Sequence, residues 1–323
     1  MDLAKFLDPD RAILKACYVL PDGKLDAGVA RDLPCPVSVA TSESVQQAYL
    51  EHDLVISWGM GVDRLLAGRQ RKAIGVHIAH GDSQWTHELI KQSRNSIDHV
   101  VAVSQRVASR VCRGFPTTVI LNGVDTARIA TSRSRDAVRS ELGFEADDFV
   151  VGFVGRFSPE KRCELLLESL ERLPRNFKAL LIGWGPDYPK LLQLANDRLP
   201  TRCAFRFADS YLGDYYQAFD AFTLLSAHEG FALVLLEAMF CQLPVVATSV
   251  GAVPELVTPR VNGIIVNPCP DTIAAELSLL QQQSEWRLGI GRAAQGLAHQ
   301  VGHARRMAEG YMTLFERLTS ERR

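Results

Sequence analysis

The sequence predicts an α/β protein made of two Rossmann-like domains joined by a linker. Short apolar strands alternate with amphipathic segments in both halves of the chain, which is typical of parallel sheets covered by helices. The 323 residues exceed what one hydrophobic core usually serves, so two domains of about 150 residues each are expected. Several predicted strands end at a glycine-containing turn, and such sheets bind ligands at the carboxyl ends of their strands.

Composition excludes several classes of protein. A net charge of -1 argues against wholesale nucleic-acid binding, which normally requires a strongly basic chain. The seven cysteines are odd in number and form no C-x-x-C pair, which favours reduced thiols over a disulfide framework or a zinc site. The sequence has no run of eighteen apolar residues and its start has no apolar signal-peptide core. We therefore expect a cytoplasmic protein.

The first domain is predicted over residues 1–126, and a polar stretch over 127–148 is predicted to be a linker with one short helical candidate near Ala137 to Leu142. The strands predicted in the first domain are Ala12 to Leu20, Val37 to Ala40, Asp53 to Ser57, Ala73 to Ala79, His99 to Ser104 and Thr117 to Leu121.

The second domain is predicted over residues 149–302. Its predicted strands are Phe149 to Val154, Phe177 to Ile182, Ala204 to Phe207, Ala221 to Leu225, Pro244 to Thr248 and Gly263 to Val266. Its predicted helices are Arg162 to Leu173, Pro189 to Arg198, Gly213 to Phe219 and Leu233 to Cys241. A last amphipathic helix, His303 to Leu318, has no strand after it, so we expect residues 303–323 to return to the first domain.

Two glutamates lie eight residues apart around the start of a predicted helix. Glu229 follows an apolar strand, and Glu237 lies about a turn inside the helix that begins at Leu233. A helix start leaves backbone N–H groups unsatisfied and carries partial positive charge, so this turn can bind an anion. We expect the two carboxylates to have different roles, on either side of that anion.

Two cations flank a Ser-Pro turn in the segment GRFSPEK, where Gly155 ends a strand. Arg156 and Lys161 could clamp a diphosphate, and taken alone a solvated turn is the favoured alternative. Both this turn and the Glu229 turn, however, lie at the same carboxyl edge of one predicted sheet. Together they fit a nucleoside-diphosphate sugar, because carboxylates accept hydrogen bonds from sugar hydroxyls.

From about Asp53 onward the chain resembles the retaining glycosyltransferases of family four, which have the GT-B fold of two Rossmann-like domains facing each other across a cleft. The resemblance rests on NGVD at Asn122 to Asp125, on GRFSPEK, and on EGFALVLLEAM followed by LPVVATSVGAVPELV. It implies that Glu229 approaches the transferred sugar and Glu237 holds the donor ribose. It also implies that Arg156 and Lys161 stabilise the diphosphate leaving group.

The resemblance implies further donor contacts and a mechanism. The acceptor hydroxyl attacks on the face that the diphosphate leaves, so the anomeric configuration is retained, and neither a metal nor a cofactor is needed. Donor contacts beyond Glu237 are expected at Gly155, Gly230, Phe231, Ala232, Leu233, Val234, Gly183 and Phe207. The last two belong to segments that we expect to recognise the base.

His80, in VHIAHGDS, closes a strand of the first domain where the family often places a histidine facing the cleft. The alternative is a polar strand end satisfied by backbone. His77 should point to the opposite face of the strand. Arg106, Arg110 and Arg113 are expected to form a solvated helix face, although a peripheral enzyme acting on a lipid-linked acceptor would use such patches against anionic lipid.

The start of the chain departs from the family pattern of a strand, a Gly-rich loop and a helix. LAKFLDPDR resembles the end of the first helix, and only Gly23 and Gly28 precede Gly59. We consider three explanations: a mis-set start codon, a natural deletion with rearranged pairing, or a degenerate copy that binds donor without turnover. Asp8-Pro9-Asp10 formally matches a D-x-D metal motif, but we expect it to end a short helix.

The leading hypothesis is an enzyme that transfers a sugar from a nucleotide donor to a glycan or lipid-linked acceptor in cell-envelope or exopolysaccharide assembly. A non-catalytic nucleotide-sugar-binding or partner subunit is the first alternative. A sugar-nucleotide epimerase is the second, but it requires acid/base groups across the cleft, and no matching constellation is found.

Overall fold

A computed structural model describes residues 2–19, 33–58, 66, 70–207 and 212–322. The chain forms two compact units. One comprises Met1–Gly123 with Gly302–Arg323, and the other comprises Val124–Val301. Gly23, Gly28 and Gly59, which the sequence analysis considered, lie outside the described residues.

The strands are β1 (Cys17–Val19), β2 (Val37–Val39), β3 (Leu54–Trp58), β4 (Ile74–Ala79), β5 (His99–Ala102), β6 (Thr117–Val119), β7 (Phe149–Val154), β8 (Phe177–Ile182), β9 (Cys203–Arg206), β10 (Ala221–Leu224), β11 (Val245–Thr248) and β12 (Ile264–Val266). The helices are α1 (Asp2–Phe6), α2 (Ser42–Glu51), α3 (Gln84–Gln92), α4 (Gln105–Val111), α5 (Arg135–Glu141), α6 (Cys163–Glu171), α7 (Tyr188–Arg198), α8 (Leu212–Tyr216), α9 (Leu233–Phe240), α10 (Val253–Leu256), α11 (Pro270–Gln282), α12 (Ser284–Val301) and α13 (Ala304–Ser320). Short 3₁₀ helices cover Thr126–Ile129 and Pro159–Lys161.

The first unit contains a four-stranded parallel sheet in the order β3-β4-β5-β6, and β1 pairs with β2 in a separate two-stranded sheet. All six residues of β4 are buried, which fits a central strand covered on both faces. The terminal helix α13 packs within this unit through one apolar face, as we expected. Its buried residues include Met307, Tyr311, Leu314 and Phe315.

The second unit contains a six-stranded parallel sheet in the order β12-β11-β10-β7-β8-β9. From β7 the chain adds β8 and β9 on one side and then β10, β11 and β12 on the other. This is the Rossmann strand order, and its direction reverses between β7 and β10. Open sheets of this type bind their ligands outside the carboxyl ends of the strands at such a reversal.

The segment 127–148, which we predicted as a linker, belongs to the second unit. The carboxylate of Asp214 accepts hydrogen bonds from the backbone N–H groups of Ser132 at 2.6 Å and Arg133 at 3.1 Å. Asp220 pairs with Arg135 at 2.6 Å and with Arg139 at 2.5 Å. The polar residues that suggested a linker therefore attach this segment to the second unit, because their carboxylate partners lie about eighty residues further along the chain.

Several strands are shorter than predicted, and the neighbouring structure explains why. Of the described residues in the strand expected from Ala12 to Leu20, those that form strand are Cys17–Val19, which pair with the three residues of β2. The strand expected to reach Ser104 stops at Ala102, because the Ser104 hydroxyl caps α4 by accepting the N–H of Val107 at 3.2 Å. None of the helices in the described ranges is long and apolar enough to cross a membrane.

His77 links the stability of the first unit to pH. It is 1% exposed in β4, and its Nδ1 lies 3.0 Å from the Ser57 hydroxyl. Burial, assisted by the positive charge of His80, lowers the pKa of His77 from 6.5 to about 4. The unfolded chain therefore binds a proton that the folded chain does not between these pH values.

We predict that the free energy of unfolding falls by about 3 kcal/mol on account of His77 as the pH drops from 6.5 to 4. Urea unfolding at pH 7, 6, 5 and 4 measures this dependence. In the His77→Gln variant, the fall in the free energy of unfolding between pH 6.5 and 4 should be smaller by about 3 kcal/mol. Equal declines in the two proteins would contradict the assignment.

Candidate functional site

The two motifs with candidate site residues meet at the reversal of strand order in the second sheet. Strands β7 and β10 are neighbours, with Ala221 paired to Val151. The loop that follows each strand leaves from the same edge, and the two loops are bonded directly. The N–H of Ala227 donates to the carbonyl of Glu160 at 2.7 Å. The sequence prediction that the motifs share one carboxyl edge is therefore confirmed.

An ion pair joins the two loops. Lys161 Nζ donates to Glu229 Oε1 at 2.5 Å, and the Ser226 hydroxyl donates to the same oxygen at 2.7 Å. The Glu229 side chain is 10% exposed and that of Lys161 is 23% exposed. A carboxylate this buried is costly unless it is paired and hydrogen-bonded, and both conditions are met here.

Arg156 lies in the same loop and is exposed to solvent. The loop also contains Glu160, which accepts a hydrogen bond from the Ser158 hydroxyl at 2.6 Å. That bond, a backbone N–H and the nearby cations Lys161 and Arg156 lower the pKa of Glu160, so it remains ionised. Arg156 is therefore the cation of this loop that is most accessible to an anion from solvent.

Helix α9 begins beside Glu229 without a side-chain cap. Ala232, its N-cap residue, has φ 68° and ψ 77°, a left-handed conformation. Gly251, with φ +50°, backs this turn so closely that an added Cβ would lie 2.7 Å from the Glu229 carbonyl oxygen. Leu233 and Val234 open the helix and are half-buried. The free N–H groups of this first turn make it suitable for an anion.

Glu237 lies inside α9 and is 2% exposed. Its Oε2 accepts a hydrogen bond from the Tyr216 hydroxyl at 2.8 Å. Burial, followed by the negative charge of Glu237, raises the pKa of Tyr216 far above its usual value, so the phenol stays protonated and can donate. This bond fixes the position of the second carboxylate.

Aromatic side chains lie where β8 and β9 end. Trp184, in the turn after β8, is 65% exposed, and Phe207, just after β9, is 64% exposed. Phe207 lies against Tyr188, with ring centroids 5.8 Å apart. Gly183, with φ +142°, lets this turn approach β7, since an added Cβ would lie 1.8 Å from the Gly155 carbonyl oxygen.

Gly230 and Phe231, the remaining predicted donor residues, lie between Glu229 and Ala232, and Phe231 is buried.

His80 belongs to the first unit, where it follows β4 and is exposed. All the other predicted site residues belong to the second unit. The role of His80 therefore stays a prediction.

Sequence reasoning missed Tyr216 and Ser226. Ser226 had a local signal, because it stands three residues before Glu229 and a serine hydroxyl readily reaches a carboxylate at that spacing. Tyr216 had none, since it lies 21 residues before Glu237 and only the tertiary fold brings its hydroxyl to that carboxylate.

The two Rossmann-like units place the protein in the GT-B class. The family model described as glycosyl transferases group 1 matches residues 134–296, and that of glycosyltransferase family 4 matches residues 35–128. The chain therefore belongs to the glycosyl transferases group 1 family.

Three known proteins illustrate the similarity. The D-inositol 3-phosphate glycosyltransferase of Mycobacteroides abscessus is 34% identical over 55% of this chain and 40% of its own length. The lipopolysaccharide core biosynthesis mannosyltransferase LpsB of Rhizobium meliloti is 34% identical over 54% of this chain and 50% of its own. The chain thus spans about half the length of these curated relatives. The crystal structure of Anabaena Alr3699/HepE in complex with UDP and glucose superposes with a TM-score of 0.84 at 26% identity, covering 98% of this chain and 94% of that one.

We predict that Tyr216→Phe lowers the free energy of unfolding by about 1–3 kcal/mol, because it removes a hydrogen-bond donor from a buried carboxylate. Urea unfolding measures the loss. Tyr311→Phe is the matched control, since Tyr311 is also buried and its pKa is raised by burial alone. Equal stability of Tyr216→Phe and the unmodified protein would show that the Tyr216–Glu237 bond contributes nothing.

Proposed function

We propose that this chain transfers a sugar from a nucleoside-diphosphate sugar to a hydroxyl of a glycan or lipid-linked acceptor, with retention of the anomeric configuration. The observation that carries the proposal is the Lys161–Glu229 ion pair at the reversal of strand order between β7 and β10, with Arg156 in the same loop. The ion pair brings a cation and a carboxylate together at the place where folds of this type bind nucleotides.

We assign the binding of the donor diphosphate to Arg156, Lys161 and the first turn of α9. Arg156 is exposed and Lys161 is about a quarter exposed, so both can contact a ligand from solvent. The uncapped first turn of α9 adds N–H donors and the positive end of the helix dipole. In this proposal these groups supply the positive charge that stabilises the leaving diphosphate, and no metal ion is invoked.

The two glutamates take the groups on either side of the diphosphate. Glu229 approaches the transferred sugar, held in place by Lys161 and Ser226. Glu237 accepts a hydrogen bond from the donor ribose, while Tyr216 fixes its carboxylate. The ribose hydroxyl must reach a side chain that is 2% exposed, so the base and ribose are expected to pack closely against α9.

In the proposed reaction the acceptor oxygen forms a bond to the anomeric carbon as the bond from that carbon to the diphosphate oxygen breaks. The attack occurs on the face that the diphosphate leaves, and the proton of the acceptor hydroxyl passes to the departing diphosphate. No covalent bond to Glu229 is formed. Stabilisation of charge on the diphosphate is then the main contribution of the protein.

The relative LpsB supports a place in the assembly of surface glycans. The names of the two curated relatives given above describe transfer to D-inositol 3-phosphate and mannosyl transfer in lipopolysaccharide core biosynthesis. We propose a related envelope or exopolysaccharide step for this chain, carried out by a cytoplasmic protein that meets a lipid-linked acceptor at the membrane surface. A non-catalytic subunit that binds the nucleotide sugar is the alternative, since the donor residues all belong to the second unit.

We predict that Arg156→Ala and Lys161→Ala each lower kcat about a hundredfold, because removal of one contact to a developing anion costs about 3 kcal/mol. The assay measures nucleoside diphosphate released from UDP-glucose and other diphosphate sugars. Lys190→Ala is the matched control, since Lys190 is a lysine of the same unit whose ion pair with Glu164 is at the surface. The control should turn over like the unmodified protein.

Normal turnover in both variants would contradict the assignment of the cations. Calorimetry separates the enzyme from the non-catalytic alternative. A protein that binds a diphosphate sugar and releases no nucleotide with any acceptor supports the alternative, whereas absence of binding to uridine, guanosine and adenosine diphosphate sugars contradicts both.

A further inference from the structure

Three of the four tryptophans of this chain are more than half exposed, and each either ends a strand or belongs to the segment that follows one. Trp58 is 54% exposed, Trp85 is 59% exposed and Trp184 is 65% exposed. The fourth, Trp286, is partly buried against the hydrophobic core of the second unit. Proteins bury most of the area of a tryptophan, so this degree of exposure at ligand-binding edges requires an explanation.

Two of these indoles share one edge of the first sheet. Trp58 is the last residue of β3 and pairs with Ile78, next to the end of β4. Trp85 is the second residue of α3, which follows β4 after a short loop. Because β3 and β4 are parallel neighbours, both tryptophans lie beyond the same carboxyl ends, together with the exposed His80.

The backbone beneath both indoles is fixed. Asp82, with a side chain 4% exposed, accepts hydrogen bonds from Arg106 at 2.8 Å and Arg110 at 3.2 Å. These arginines, which we predicted to form a solvated face, also hold the loop before Trp85. Ser83 caps α3, and Ser57 is bonded to His77 just before Trp58. An ordered surface loses little conformational entropy when a ligand binds.

We propose that Trp58 and Trp85 form a stacking surface for a sugar ring of the acceptor glycan. A pyranose ring has an apolar C–H face, which suits an indole, and a rim of hydroxyls, which suits His80 and the partly exposed Arg106. The inference rests on the proposed function and assigns the acceptor a sugar unit rather than a lipid chain as its recognised part.

The surroundings of Trp85 favour a glycan over a membrane. Its exposed neighbours Ser83, Gln84 and Glu88 are polar or acidic. A surface that inserts into a bilayer instead surrounds its aromatic residues with other apolar side chains, and the arginines near Trp85 are paired with Asp82. A mixture of two indoles with hydrogen-bonding groups is the composition that a carbohydrate requires.

The test is ligand-observed NMR with the methyl α- and β-glycosides of glucose, galactose, mannose and N-acetylglucosamine. At least one should bind the unmodified chain, and Trp58→Ala and Trp85→Ala should each weaken its binding about tenfold. Trp58→Phe and Trp85→Phe should retain part of the affinity. Leu50→Ala, which alters an exposed apolar residue of α2 in the same unit, should bind like the unmodified chain.

Three results would overturn the inference: no glycoside binds, the alanine variants bind as well as the unmodified chain, or the tryptophans are needed instead for binding to phosphatidylglycerol vesicles. Calorimetry with UDP-glucose and other diphosphate sugars on the same proteins keeps this result apart from the proposed function. If donor binding persists while glycoside binding fails these criteria, only the stacking surface is wrong. If the unmodified chain binds no donor, the proposed function fails independently.

Discussion

The Lys161–Glu229 ion pair, at 2.5 Å, is the contact on which the proposed donor site depends. It joins the loops of two strands that are adjacent in the sheet but about seventy residues apart in the chain. Since the Glu229 side chain is 10% exposed, loss of the lysine would leave a largely buried carboxylate with only the Ser226 hydroxyl. The same bond therefore holds the loops together and fixes the carboxylate that we assign to the sugar.

Different chemical groups follow successive strands at the carboxyl edge of the second sheet, in an order that fits an extended ligand. A carboxylate follows β10, cations follow β7, and exposed aromatic residues follow β8 and β9. Adjacent strands lie about 4.8 Å apart, so these groups cover a width comparable to a nucleotide. Glycine at 183 and 251 lets the loops approach one another where a side chain would collide with backbone. The site is thus a consequence of strand order together with a few close backbone approaches.

The sequence was sufficient for those parts of the fold whose signal is local. The bounds of β7 and β8 agree with prediction because each is a largely apolar six-residue segment followed directly by a glycine. The joining of GRFSPEK to the Glu229 turn followed from the parallel sheet. Contacts between distant residues were not predictable: Tyr216 with Glu237, and Asp214 and Asp220 with the segment 127–148, depend on how helices pack. The burial of Glu237 belongs to this group, since its position in a helix does not fix how deeply it lies.

The most direct test of the account is a crystal structure of the chain with a bound nucleoside-diphosphate sugar, beginning with UDP-glucose. The account predicts that the diphosphate oxygens lie within hydrogen-bond distance of Arg156, Lys161 and the first N–H groups of α9, with the sugar next to Glu229. A diphosphate bound away from the β7–β10 reversal, with these groups making no contact to it, would contradict the account.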